Sequence, residues 1–196
     1  IGGNHFIHIL RRNLNIKILM FNNKIYGLTK GQYSPTSELG KVTKSTPMGS
    51  LDFPFNPSSL AIGAGATFVG RSLDRETKHL AEMVGLANSH KGASFVDIYQ
   101  NCNIFNDGAH SAYTDRETKN DTLIKLTHGE PMVFGESGSK ILKLEGSKFK
   151  VLYILFSANS YLPRRPRINA SSCNISTFCG SENTACSAYL AACSRS

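Results

Sequence analysis

The sequence predicts an α/β domain built on a mainly parallel sheet flanked by helices. Three observations point there. Segments with a helical apolar period alternate with short apolar runs of strand length. The spacers between those runs are long enough for crossover helices. Two of the runs end abruptly in polar loops crowded with Asn and Gly, as strands do where an α/β sheet meets its ligand.

The elements follow in order. Asn4–Leu14 carries Phe6, Ile7, Leu10 and Leu14 on one helical stripe. Ile16–Phe21 is a short apolar run that suits a strand buried on both faces. Residues 22–57 are rich in Gly, Pro, Ser, Thr and Asn and read as one long loop, a length usually tied to function or disorder. Pro57–Ala64 opens on Pro, which is tolerated in a first helical turn. Thr67–Gly70 reads as a strand. Asp74–His90 is the clearest helix, with Leu80, Met83, Val84 and Ala87 on one face, and Ser94–Tyr99 is the next strand. Residues 107–150 are more polar and read as surface helix and loops. The composition changes after Lys150: four of the five cysteines lie at 173, 179, 186 and 193, and the only acidic residue is Glu182. The expected division is therefore a domain over 1–150 and an atypical tail over 151–196, frame-shifted or disordered.

Composition excludes several classes. No apolar stretch reaches the length of a membrane span, and no secretory signal is recognised, so a cytoplasmic protein is expected. The first residue is Ile1 rather than Met, so the N-terminus is read as processed or missing. The formal charge is +8, from 22 basic and 14 acidic residues. The basic residues are scattered, with one dense cluster at Arg164, Arg165 and Arg167, so nucleic-acid binding is not expected. No CxxC spacing, Ser–His–Asp arrangement or catalytic carboxylate pair is read, and no catalytic residue is assigned to this chain.

Chemistry concentrates in Asn22-Asn23-Lys24-Ile25-Tyr26-Gly27-Leu28-Thr29-Lys30-Gly31-Gln32, followed by Ser34-Pro35-Thr36. A strand delivers two amides to a loop whose glycines permit close backbone approach. Amide and carbonyl oxygens are hard ligands of the kind magnesium prefers, and loop N–H groups can face a phosphate. The same residues also suit a turn closed by Asn side chains. His5 and His8, on the first helix, suit either a polar cofactor contact or a surface position. Cys102, as a lone cysteine, suits a small buried apolar residue.

Five ordered segments carry a resemblance: Ile1-Gly2-Gly3-Asn4-His5, Arg11-Arg12-Asn13, the Asn22–Thr36 loop, Thr46-Pro47-Met48-Gly49, and Tyr99-Gln100-Asn101-Cys102-Asn103-Ile104-Phe105-Asn106-Asp107-Gly108. Over roughly residues 1–150 the series resembles the beta subunit of 2-oxoacid:ferredoxin oxidoreductases, nearest the 2-oxoglutarate type. The resemblance implies an incomplete thiamine-diphosphate-binding fold whose Gly-Asp-Gly magnesium motif would lie just before Ile1. It implies a magnesium ligand in the Asn23 side chain and another in the Ile25 carbonyl. Backbone approach to the diphosphate falls to Gly27 and Leu28, and a hydroxyl contact to Thr29. Cys102 would be the fourth ligand of a [4Fe–4S] cluster, its companions lying before Ile1. The implied reaction is oxidative decarboxylation of 2-oxoglutarate to succinyl-CoA, with electrons passing to ferredoxin. Coenzyme A and an alpha subunit would be partners. Pyruvate or broader 2-oxoacid specificity, or a catalytically inert fragment, are the alternatives.

Overall fold

The computed structural model of the chain describes residues 2–126, 130–146, 148–153 and 187–188. These fall into two compact units, one reaching to Ser111 and the other beginning at Ala112.

The first unit holds a three-stranded parallel sheet. Its strands are β1 (Lys17–Asn22), β4 (Phe68–Leu73) and β5 (Ser94–Tyr99), in the order β1-β5-β4. The register aligns Asn22 with Tyr99 and Tyr99 with Leu73, so the three carboxyl ends finish level. Helix α1 (Gly3–Arg11) precedes β1, α2 (Pro57–Gly63) precedes β4, and α3 (Thr77–Ser89) joins β4 to β5. The parallel α/β class is as the sequence predicts. The boundaries differ: α1 stops short of Leu14, and β4 runs past Gly70 to Leu73, which brings Arg71 into the sheet.

Side-chain alternation gives the sheet two faces. On one, Ile18, Phe95 and Val69 pack with Phe6 and Leu10 of α1 and Ala61 of α2. Phe6 and Phe95 meet edge to face with centroids 4.9 Å apart. Each fully buried apolar side chain of this kind contributes about 1.5–3 kcal/mol. On the other face, Phe68, Val96 and Ile98 pack against Ala87, with Leu80 alongside. Local chemistry places the helices. Asn56 caps α2 by accepting from the Ser59 N–H at 3.0 Å, and Pro57 follows at the first helical position.

Between β1 and α2 the long loop is ordered, and it contains a short antiparallel pair, β2 (Ile25–Tyr26) with β3 (Gln32–Tyr33). Isolated bonds hold the rest, such as Ser50 N–H to the Lys41 carbonyl and Gly40 N–H to the Ser50 carbonyl.

The second unit corrects an expectation. Residues 107–150 contain the expected short helices α4 (Ser111–Thr114) and α5 (Arg116–Thr122) but also strands. These are β6 (Leu123–Ile124), β7 (Val133–Phe134), β8 (Lys140–Glu145) and β9 (Lys148–Tyr153), with β7-β8-β9 forming an antiparallel sheet. Strand β10 (Ser187–Ala188) pairs with β6. The remaining tail residues, with all four of its cysteines, lie outside the described residues, as does His128.

Candidate functional site

The three level carboxyl ends of β1, β4 and β5 carry polar side chains where their upstream halves carry apolar ones. Asn22 ends β1, Arg71 and Ser72 lie in the last half of β4, and Asp97 and Tyr99 in that of β5. The loops that leave β1 and β5 meet above this rim.

The β1 loop is shaped by its two amides. Asn22 Oδ1 accepts from the Lys24 N–H at 3.3 Å, and Asn23 Oδ1 accepts from the Ile25 N–H at 3.2 Å. The turn closed by Asn side chains is therefore present. It does not exclude a metal site, because an amide oxygen has two lone pairs and the Asn23 side chain is only half-buried. Lys24, with φ 55, turns the chain between them. Ile25 is 4% exposed, so its side chain belongs to the core and only its backbone can face a ligand.

Beyond Ile25 the loop opens to solvent. Leu28 is 99% exposed and Thr29 is exposed, its hydroxyl donating to the Tyr26 carbonyl at 3.3 Å. Lys30 N–H bonds the Gly27 carbonyl and Gly31 N–H bonds the Tyr26 carbonyl, both at 3.0 Å. Among the described residues, no hydrogen bond engages the N–H groups of Gly27, Leu28 or Thr29. Three successive N–H groups with no described partner in one turn suit an anion such as a diphosphate. Gly31 has φ +100, and a Cβ there would meet the Phe105 ring at 3.4 Å.

The β5 loop is fastened onto the β1 loop. Asn106, buried, donates to the Asn23 carbonyl at 2.9 Å and the Lys24 carbonyl at 3.4 Å. Its Oδ1 accepts from Lys41 Nζ at 2.5 Å. Lys24 Nζ in turn pairs with Glu38 at 2.8 Å. Cys102, partly exposed, opens the tight turn that Asn106 closes: Asn106 N–H bonds the Cys102 carbonyl at 3.0 Å.

The structure thus brings Asn23, Ile25, Gly27, Leu28 and Thr29 into one loop, with the Cys102 turn docked on it. The donor set fits half of a magnesium–diphosphate site: an amide oxygen, a backbone carbonyl and N–H groups without a described partner. His5 stands apart, exposed in the first turn of α1, and no hydrogen bond among the described residues joins it to the loop. The residues do not by themselves fit an iron–sulfur cluster. Four thiolates are usual, and among the described residues no group of three or more His, Cys, Asp or Glu could hold a metal.

Sequence reasoning missed what lies beneath. Asp97 is fully buried and pairs with Arg71, whose Nε and Nη2 lie 3.2 and 3.1 Å from its Oδ2. Ser58 Oγ and Asn22 Nδ2 each lie 3.4 Å from the carboxylate. Burial pushes the Asp97 carboxyl above the ordinary range, and Arg71 pulls it back only in part. A charged residue inside the strand run Ser94–Tyr99 was the available signal, since a buried charge demands a partner.

The sequence matches the family described as thiamine pyrophosphate enzyme, C-terminal TPP binding domain, over residues 1–98. It is 60% identical over 151 residues to a 2-oxoglutarate oxidoreductase subunit KorB of Mycobacterium tuberculosis, covering 77% of this chain and 40% of that protein. A 2-oxoacid:ferredoxin oxidoreductase subunit beta of Saccharolobus solfataricus is 43% identical, over 59% of this chain and 38% of that one. Among solved structures, a 2-oxoglutarate:ferredoxin oxidoreductase from Magnetococcus marinus, with 2-oxoglutarate, coenzyme A and succinyl-CoA bound, is 32% identical with a TM-score of 0.59. The likeness covers 70% of this chain and 45% of that chain. The chain spans about two fifths of the length of these curated relatives. Together with the parallel sheet and the Asn23 loop, these matches place it: the chain belongs to the thiamine pyrophosphate enzyme family, in its C-terminal TPP-binding domain, and its likeness is to beta subunits of 2-oxoacid:ferredoxin oxidoreductases.

Proposed function

We propose that this chain is the thiamine-diphosphate-binding part of a beta subunit that oxidatively decarboxylates 2-oxoglutarate to succinyl-CoA and passes electrons to ferredoxin. The observation that carries the reading is the Asn23–Thr29 loop at the carboxyl end of β1, with an amide oxygen and three N–H groups without a described partner in one turn. The 60% identity to a 2-oxoglutarate oxidoreductase subunit supports the substrate choice over pyruvate.

Asn23 Oδ1 and the Ile25 carbonyl would hold Mg2+, and Gly27, Leu28 and Thr29 would face the diphosphate. Thiamine diphosphate, when bound, supplies the carbanion chemistry that releases carbon dioxide from a 2-oxoacid. The chain's own residues bind and orient: the Asn106 clip fixes the Asn23 and Lys24 carbonyls, and the Phe105 ring packs against Gly31. His5 remains a proposed polar contact at the same end of the domain. Cys102 is proposed as one thiolate of a [4Fe–4S] cluster completed by residues other than those described. An alpha subunit, coenzyme A and ferredoxin are the proposed partners, in the cytoplasm. Among the described residues no helix is long and apolar enough to cross a membrane.

The test is reduction of a viologen dye by the chain assembled with its alpha subunit. Turnover with 2-oxoglutarate and coenzyme A is expected, and turnover with pyruvate alone would reverse the substrate choice. Residues 151–196 are proposed to be an atypical tail; a second reading frame continuing as a globular sequence from the codon of Lys150 would support this, and a single open frame would overturn it.

A further inference from the structure

Beneath the Asn23 loop the described contacts close into a ring. Asn22 Nδ2 faces Asp97 Oδ1 at 3.4 Å. Asp97 Oδ2 accepts twice from Arg71, at 3.2 and 3.1 Å. The Arg71 guanidinium lies over the Tyr99 ring, 4.8 Å from its centroid. Tyr99 stacks on His110, with centroids 4.3 Å apart and planes 13° from parallel. His110 Nε2 lies 2.9 Å from the Asn22 carbonyl and completes the circuit. Ser58 braces it from α2, 3.1 Å from Arg71 Nη2.

The ring joins all three strand ends to the far side of the β5 loop, and every member but Tyr99 and Arg71 is buried. Asn22 is its point of output. The Asn22 carbonyl takes both His110 and the Gln100 N–H, and its Oδ1 takes the Thr36 hydroxyl at 2.8 Å and the Lys24 N–H. An asparagine held on its carbonyl, its amide nitrogen and its amide oxygen has one available rotamer, and it fixes where the next residue, Asn23, begins. A buried Arg–Asp pair is weak support for stability as such, since apolar residues of like volume do as well. Its directional hydrogen bonds do supply what an apolar core lacks, a fixed orientation for Asn22.

We propose that the Asn22–Asp97–Arg71–Tyr99–His110 ring is a positioning frame that sets the Asn23 loop for magnesium and diphosphate. This rests on the reading that the loop binds those groups. None of the ring residues touches the ligand. They act through Asn22, as partners behind metal ligands do, whose loss weakens metal affinity about 10–100-fold.

Two variants of the full chain test the frame. Asp97→Asn combined with Arg71→Gln removes the ion pair without leaving a buried charge, and Tyr99→Leu removes the stack while leaving the pair. The first readout is amide hydrogen exchange in the chain without ligand. In folded variants the Lys24 and Ile25 amides are expected to exchange about tenfold faster, while ladder amides such as Val96 and Gly70 keep their protection. A structural role alone would loosen loop and ladder together, and that outcome overturns the proposal, as does unchanged exchange at Lys24 and Ile25. The second readout is calorimetric titration with thiamine diphosphate and Mg2+, where Kd is expected to rise about tenfold or more. If the parent chain itself binds neither, the functional reading fails, and the exchange data still decide the frame.

Discussion

Asn23 and Ile25 sit two positions apart and are expected to respond oppositely to substitution. Asn23 offers a side-chain oxygen that already shapes the turn through the Ile25 N–H. Asn23→Ala removes that turn bond and the proposed metal ligand, and magnesium-dependent thiamine diphosphate binding should weaken by about tenfold or more. Ile25→Val trims one methylene from a buried side chain and leaves the carbonyl in place, at a stability cost of about 0.5–1.5 kcal/mol and with binding unchanged. Titration of both variants checks this, and equal losses would remove Asn23 from its special role. Gly92 is a different kind of position. Its φ is +122, and a Cβ would run into the Asn13 side chain. That side chain accepts from the Ala93 N–H and the Thr67 hydroxyl, both at 2.9 Å, where the chain enters β5. Gly92→Ala should therefore destabilise by about 1–3 kcal/mol, read as a lower urea midpoint.

At the scale of elements, β5 is the central strand, and its two faces serve both cores. Phe95 is buried against Phe6 and Val69, so Phe95→Ala should cost about 3–5 kcal/mol in urea unfolding. A loss below about 1 kcal/mol would mean that α1 does not depend on this strand. The strands of this sheet were legible because each carries a short apolar run, although Leu19 and Phe21 of β1 stay exposed. The Asn23 loop was legible for a similar reason: the run Ile16–Phe21 stops at two amides. Other features were hidden. Arg71 and Asp97 lie 26 residues apart in sequence, and only the β1-β5-β4 order with its register makes them neighbours. The long loop gave no sign of the β2–β3 pair, whose two-residue strands are too short to show a period. The β8–β9 hairpin was masked by charge. Its lysines and glutamate alternate imperfectly with Ile141, Leu142, Leu144 and Phe149, and much of it is exposed. A two-residue period turning at Gly146, with φ +61, was the signal to follow.

For the molecule as a whole, the buried titratable groups fix how stability should vary with pH. Burial pushes His110 below the ordinary histidine value. The hydrogen bond to the Asn22 carbonyl opposes that push, Lys24 adds to it, and Glu38 and Asp74 oppose it. As pH falls through the ordinary value, about 6.5, the unfolded chain takes up the proton while the folded chain does not. Stability therefore declines through that window and goes on declining until the pH passes below the folded value. His90 is shifted in the same direction, by burial and by Lys17, but lies nearer the surface. Asp97 acts with the opposite sign: its carboxyl is pushed up, so the folded state takes up that proton before the unfolded chain does. The two effects are told apart by replacing His110 alone. Urea midpoints at pH 7.5 and 5.5 should thus fall for the parent chain. His110→Gln places an amide donor where Nε2 meets the Asn22 carbonyl but has nothing to titrate, so its midpoint should fall less over the same interval. Equal falls in the two proteins would show that His110 carries no part of the acid sensitivity, and that its burial beside Tyr99 is relieved in the folded state.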